Sequence, residues 1–196
     1  LNPVKDMSTL IQGFAAGYKK CPRLRLVIAG DGEEREKLGN LARELGVEKQ
    51  VTFAGWISGG MDRFYAALDI NALTSLSETF PYALTEGARF HLATVATAVG
   101  GIPYLIDSSV NGFLIPPGDW QALGEHLAAL GNDDALRRDM GEKLYEKAST
   151  QFSIQKTVDT QLHIYQEILR RHSRPKKDRD GVVICGAYGR GNAGDD

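Results

Sequence analysis

The sequence predicts an α/β fold: a Rossmann-like, doubly wound parallel sheet with helices on both faces. Short apolar runs alternate with amphipathic stretches of helical period along most of the chain. Most runs are closed by glycine or proline, as a buried strand that ends in a turn would be. The runs are separated by helix-length segments rather than hairpin turns, so successive strands must join by crossovers and pair in parallel.

In order, Leu24–Ala29 (LRLVIA) reads as a strand closed by Gly30-Asp31-Gly32. Glu33–Leu45 sets Leu38, Leu41, Ala42 and Leu45 on one face and stops at Gly46, a residue suited to a helix C-terminus. Val51–Ala54 is a second strand, ended by Gly55, and Met61–Leu68 a helix. Ile70–Leu73 is the next strand. Pro81 opens the following helix, because proline suits the first helical position. Thr94–Ala98 reads as a strand stopped by Gly100-Gly101-Ile102-Pro103. Three helical patterns, Gln121–Leu130, Asp134–Thr150 and Ile154–Arg171, close a domain over residues 1–172. The polar segment 173–180 (SRPKKDRD) reads as a linker. Residues 181–196 read as the start of a second α/β domain, with a strand at Val182–Cys185 and a glycine-rich loop.

The chain has 196 residues, a formal net charge of −2, and 42% hydrophobic and 24% charged residues. That balance excludes disorder over most of its length, and it lacks the basic excess that nucleic-acid binding needs. No apolar stretch approaches the ~20 residues of a membrane span. Two distant cysteines, Cys21 and Cys185, make no disulfide framework, which favours a cytoplasmic setting. The four histidines show no ligand spacing with Cys or clustered acids, so no metal site is expected.

In a doubly wound sheet a ligand lies beyond the carboxyl ends of the strands. The segment Ser75–Glu86 leaves a strand there and enters a helix, whose first-turn amides favour an anion such as phosphate. Pro81 lacks an amide, leaving Phe80, Tyr82 and Ala83 as donors. Glu78 stands at the helix mouth and Glu86 about 7.5 Å further along the axis. A carboxylate facing phosphate would repel it, so both are placed for hydroxyls: Glu86 for a ribose, Glu78 for a sugar. Glutamates near a helix start also occur simply because they suit its dipole.

Glu78 and Glu86 bracket seven residues, and this resembles the E-x₇-E motif of the retaining GT-B glycosyltransferases of family 4. Asn2-Pro3-Val4-Lys5-Asp6, Gly30-Asp31-Gly32, Val51-Thr52-Phe53-Ala54-Gly55, Phe64–Asp69, Gly100–Pro103, Asn111–Ile115 and Pro117-Gly118-Asp119 are similar to that family's blocks, in order, over about residues 1–172. The resemblance implies one half of a GT-B fold: the donor-binding domain of a glycosyltransferase that uses a UDP- or GDP-sugar without metal or other cofactor. It implies that Glu78 contacts the donor sugar, Glu86 the ribose, and Lys5 the diphosphate. Gly30 and Gly32 would let the main chain approach the nucleotide, and Gly55 and Trp56 would flank the base. It further implies that an acceptor-binding domain and the first strand of the sheet precede Leu1, so that this chain alone binds nucleotide weakly and transfers nothing. Three departures bear on sugar specificity: Thr79-Phe80-Pro81 replaces a glycine-rich run, Ala93 a proline, and Tyr104 a glutamate.

The basic cluster Arg170, Arg171, Arg174, Lys176, Lys177 and Arg179 offers charge to an anionic membrane surface, although a solvated linker is the favoured reading. Residues 186–196 contain G-x-G-x-x-G and resemble the opening of polysaccharide pyruvyl transferases, which would set both activities in cell-envelope polysaccharide synthesis. A sugar-nucleotide epimerase of the same two-domain plan and a non-catalytic binding module remain as alternatives.

Overall fold

The computed structural model describes residues 1–171. The expected linker at 173–180, the expected second domain at 181–196, and with them His172, Cys185 and four of the basic residues, lie outside the described residues. One compact unit runs from Leu1 to Lys156, and a second opens at Thr157.

The first unit begins with a 3₁₀ turn (Pro3–Lys5) and continues as α1 (Met7–Lys20), β1 (Leu26–Ala29), α2 (Arg35–Glu44), β2 (Val51–Gly55), α3 (Met61–Ala66), β3 (Ile70–Leu73), α4 (Tyr82–Arg89), β4 (Ala93–Thr97), α5 (Ile102–Leu105), β5 (Phe113–Ile115), α6 (Trp120–Asn132) and α7 (Asp134–Gln151). Within the described residues the predicted strands and long helices form, with ends shifted by at most two residues. Five elements go beyond the sequence reading: the 3₁₀ turn at Pro3–Lys5, a second 3₁₀ turn at Glu48–Gln50, α1, α5 and β5. The signal for α1 is present in the sequence. The Asp6 side chain accepts from the Thr9 amide as an N-cap, and Leu10, Ile11, Phe14 and Ala15 recur on one buried face. α5 has four residues and β5 three, too short for any periodicity to register.

Every strand pairing is parallel. The sheet is not one continuous piece, however. β1 pairs with β2, and β3, β4 and β5 form a separate group in that order. Among the described residues β1, β2, β3 and β5 therefore each present one edge without a strand partner.

All five residues of β4 are buried, and alternate side chains point to opposite faces. Ala93 and Val95 enter one core with Phe113 and Ile115 of β5, Ile11 and Phe14 of α1, Leu38 of α2 and Leu123 of α6. Ala96 enters the other, with Leu84 of α4, Ile102 and Leu105 of α5, and Leu144 of α7. Helices thus cover both faces of the parallel sheet, as the sequence predicts.

On the first face, Phe113 stacks on His126 of α6 with ring centroids 4.0 Å apart and planes 9° apart. Burial pushes the His126 pKa below its ordinary 6.5, against the opposing pull of Glu125 and Asp119. A depressed native pKa means that the unfolded chain binds the proton first as pH falls. The stability gained is complete above 6.5 and is lost as pH drops through the native value. Thermal unfolding followed from pH 8 to pH 5 is expected to show a fall in Tm below pH 6.5, and His126→Gln is expected to flatten it. An equal fall in the variant would remove His126 as the source.

α8 (Ile154–Arg171) crosses the unit boundary and contains no buried residue. Val158, Leu162, Tyr165 and Leu169, at helical spacing, are all exposed. Among the described residues no helix is long and apolar enough to cross a membrane.

Candidate functional site

The site grows from the carboxyl end of β3. Thr74, fully buried, turns its hydroxyl to the Lys5 and Asp6 carbonyl oxygens, each 3.0 Å away. The Leu76 amide donates to the Val4 carbonyl at 2.8 Å. These bonds dock the Pro3–Lys5 turn on the segment that follows β3, so residues 73 positions apart share one site. The Lys5 Nζ donates to Glu78 Oε1 at 2.6 Å, and the Ser75 hydroxyl donates to the same oxygen at 2.7 Å. Glu78 is the more enclosed partner, its side chain 11% exposed against 46% for Lys5.

The Glu78 loop is seated from below by the turn after β4. Thr97 donates to the Ser75 carbonyl at 2.6 Å, and the Gly101 amide to the Thr79 carbonyl at 2.7 Å. Gly100 has φ +54°, and a Cβ at that position would fall on the Glu78 carbonyl oxygen. Only a residue without a side chain allows this approach.

α4 begins one residue later than the sequence suggests. Pro81 is its N-cap, in an extended conformation with φ −74° and ψ 124°, and Tyr82 is the first helical residue. No side chain caps this end. The Leu84 amide turns back to the Pro81 carbonyl at 3.1 Å. Tyr82 and Ala83 are therefore the residues whose amides open outward at the positive end of the helix dipole. Asn71 of β3 fixes the helix by donating to the Ala83 carbonyl at 3.0 Å.

A cavity of about 490 Å³ lies along β1 and β3 and their carboxyl ends, and Lys5, Gly30, Trp56, Glu78, Tyr82 and Ala83 all line it. Six of the ten residues singled out from sequence thus share one wall. The other four do not line it. Phe80 turns away and stacks on Phe152 at 5.3 Å in the second core, because its ring is worth more buried than at a polar mouth. The open side of Gly32 is filled by the Leu1 main chain. Gly55 gives its carbonyl to the Gly30 amide at 2.7 Å. Glu86 is exposed and reaches the cavity through a neighbour: the hydroxyl of Tyr65, which does line it, donates to Glu86 Oε2 at 2.9 Å. Burial first, and then this hydrogen bond, raise the Tyr65 pKa far above its usual 10, so the phenol keeps its proton.

Tyr65, Ser75 and Asn71 went unmarked in the sequence, since a lone tyrosine on a helix or a serine after a strand carries no pattern. Among the described residues no group of three or more His, Cys, Asp or Glu is placed to hold a metal ion.

An uncapped helix start, a lysine and a carboxylate thus meet around one cavity. The family described as "Glycosyl transferases group 1" matches residues 1–147. The chain belongs to this family. Among curated relatives of this group 1 glycosyl transferase chain, it is 33% identical to the "Exopolysaccharide phosphotransferase SCO2592" of Streptomyces coelicolor over 90% of its own length and 19% of that protein. It is 30% identical to the "Lipopolysaccharide core biosynthesis glycosyltransferase LpsE" of Rhizobium meliloti, over 82% of this chain and 46% of that one. Among solved structures, Anabaena Alr3699/HepE in complex with UDP superposes with TM-score 0.76 at 27% identity, covering 86% of this chain and 47% of that one. The group 1 glycosyl transferase chain therefore spans less than half the length of these relatives. The fold is that of GT-B glycosyltransferases, and the two curated relatives are named for an exopolysaccharide and for lipopolysaccharide core biosynthesis.

Proposed function

We propose that the chain is the donor-binding half of a retaining, family 4 glycosyltransferase that takes a UDP- or GDP-sugar. Its acceptor is a glycan or a lipid-linked precursor of a cell-envelope polysaccharide. The observation that carries this reading is the convergence of Lys5, Glu78 and the uncapped start of α4 on one cavity. UDP in the related Anabaena structure supports a nucleoside diphosphate as the ligand. An acceptor-binding domain completes the enzyme in this reading, and the setting is the cytoplasm, at the inner membrane face for a lipid-linked acceptor.

The chemistry follows from charge. When the bond between sugar and phosphate breaks, its electron pair stays on the departing phosphate oxygen. Lys5 and the Tyr82 and Ala83 amides stabilise that growing charge, as preorganised donors do in a partly dry site. They do so without a metal ion. Glu78 accepts from a hydroxyl of the donor sugar, and Glu86 accepts from the ribose.

Calorimetry with UDP and GDP tests the reading. At least one is expected to bind the chain, and Glu86→Ala is expected to weaken it about tenfold, the equivalent of one hydrogen bond to a charged group. Unchanged affinity would refute the ribose role. With the full-length enzyme, a glycoside product supports transfer, whereas an epimerised sugar nucleotide would replace it with the epimerase reading.

A further inference from the structure

We infer that Tyr65 is the positioning residue that prepares Glu86 to recognise a ribose diol. The inference rests on the proposed nucleotide site and extends it to a residue that touches no phosphate or sugar.

Glu86 stands exposed on the second turn of α4, with three side-chain torsions free to turn away from the cavity. A carboxylate that must accept two hydroxyls at once loses that freedom on binding, which is an entropic cost. Tyr65 removes the cost beforehand. Its ring is 5% exposed, stacked on Phe90 at 5.8 Å and held edge-on by Phe64 at 5.7 Å. From this fixed seat the hydroxyl donates to Glu86 Oε2 at 2.9 Å. Because the phenol stays protonated, the direction of this bond does not reverse.

The bond also leaves the right acceptors. An ionised carboxylate has about four acceptor positions. Tyr65 occupies one on Oε2, so Oε1 stays open and Oε2 retains a second position. Two adjacent hydroxyls can then donate, one to each oxygen. The nearest cation on the same helix, Arg89, is engaged with Asp62 at 3.6 Å and does not draw Glu86 aside. α3, which also lines the cavity with Met61 and Phe64, thereby contributes a hydrogen-bond donor to the site.

The test compares ligands that carry a ribose with one that does not. Tyr65→Phe retains the ring stack and removes only the hydroxyl. Affinity for UDP or GDP, measured by calorimetry, is expected to fall about five- to tenfold, while affinity for inorganic pyrophosphate stays unchanged. In a Glu86→Ala background, Tyr65→Phe is expected to have no further effect on UDP or GDP. A purely structural role predicts the opposite pattern: weaker pyrophosphate binding, and losses that multiply in the double variant. That pattern, or an unchanged ratio of nucleotide to pyrophosphate affinity, overturns the inference alone. Failure of the unaltered chain to bind either nucleotide overturns the underlying site as well.

Discussion

Lys5→Ala is expected to weaken nucleoside diphosphate binding about a hundredfold, and Glu78→Gln to strengthen it severalfold. The opposite signs follow from the 2.6 Å ion pair between the two side chains. Lys5 lines the same cavity as the helix mouth, and a charge-assisted hydrogen bond to a phosphate oxygen contributes about 1.5–3 kcal/mol. Its removal does more than delete that bond. Glu78 then keeps its negative charge in an enclosed position, with Ser75 its one remaining donor, and this charge repels the incoming diphosphate. Together the two effects exceed a single contact, and ~2.7 kcal/mol corresponds to a hundredfold change in Kd.

Glu78→Gln acts in reverse. The amide is close in shape to the carboxylate and still accepts from Ser75. It no longer holds Lys5 by charge and no longer repels phosphate, so Lys5 turns to the ligand at less cost. Transfer of sugar by the full-length enzyme, in contrast, is expected to be lost, because the carboxylate meant for a donor-sugar hydroxyl is gone. Calorimetric titration of UDP and GDP into both variants measures the two affinities. Weaker binding by Glu78→Gln would show that Glu78 grips the nucleotide moiety itself, contrary to the role assigned.

The sequence made the framework of this site readable and its fine geometry unreadable, for physical reasons. Periodicity marks elements of ordinary length, so β3 emerges with its observed ends, Ile70–Leu73. It fails for the three residues of β5 and the four of α5, which are held by the cores they enter rather than by local preference. The division of the sheet into two groups was also invisible, since strand order is a long-range property that no local pattern encodes. The helix start at the site was legible because a helix start with two spaced acids is a local feature. The Phe80 ring could not be placed in this way. Its place is decided by Phe152, 72 positions away, whose ring attracts it into the second core. Glu86 is marked in the sequence but its support is not: the Tyr65 hydroxyl reaches it from α3, 21 positions away.

The turn under Glu78 yields the sharpest structural test. Gly100→Ala is expected to lower stability by about 3 kcal/mol and to cost at least tenfold in nucleotide affinity. Two effects add in the native state. The residue has φ +54°, a left-handed conformation that costs an L-residue about 1–2 kcal/mol. The new methyl group would also overlap the Glu78 carbonyl oxygen, which is main chain and has no rotamer by which to yield. The loop must therefore lift. Lifting breaks the 2.7 Å bond between the Gly101 amide and Thr79, and it carries the Glu78 carboxylate away from Lys5 and Ser75. Gly118→Ala separates the two effects. Gly118 has φ +79° and open space around it, so its variant bears the conformational cost without the collision. It is expected to lose about 1 kcal/mol and to bind UDP or GDP as the unaltered chain does. Thermal unfolding and calorimetry on the pair check this. Equal losses of affinity in both variants, or none in Gly100→Ala, would mean that the loop carrying Glu78 is not seated on Gly100.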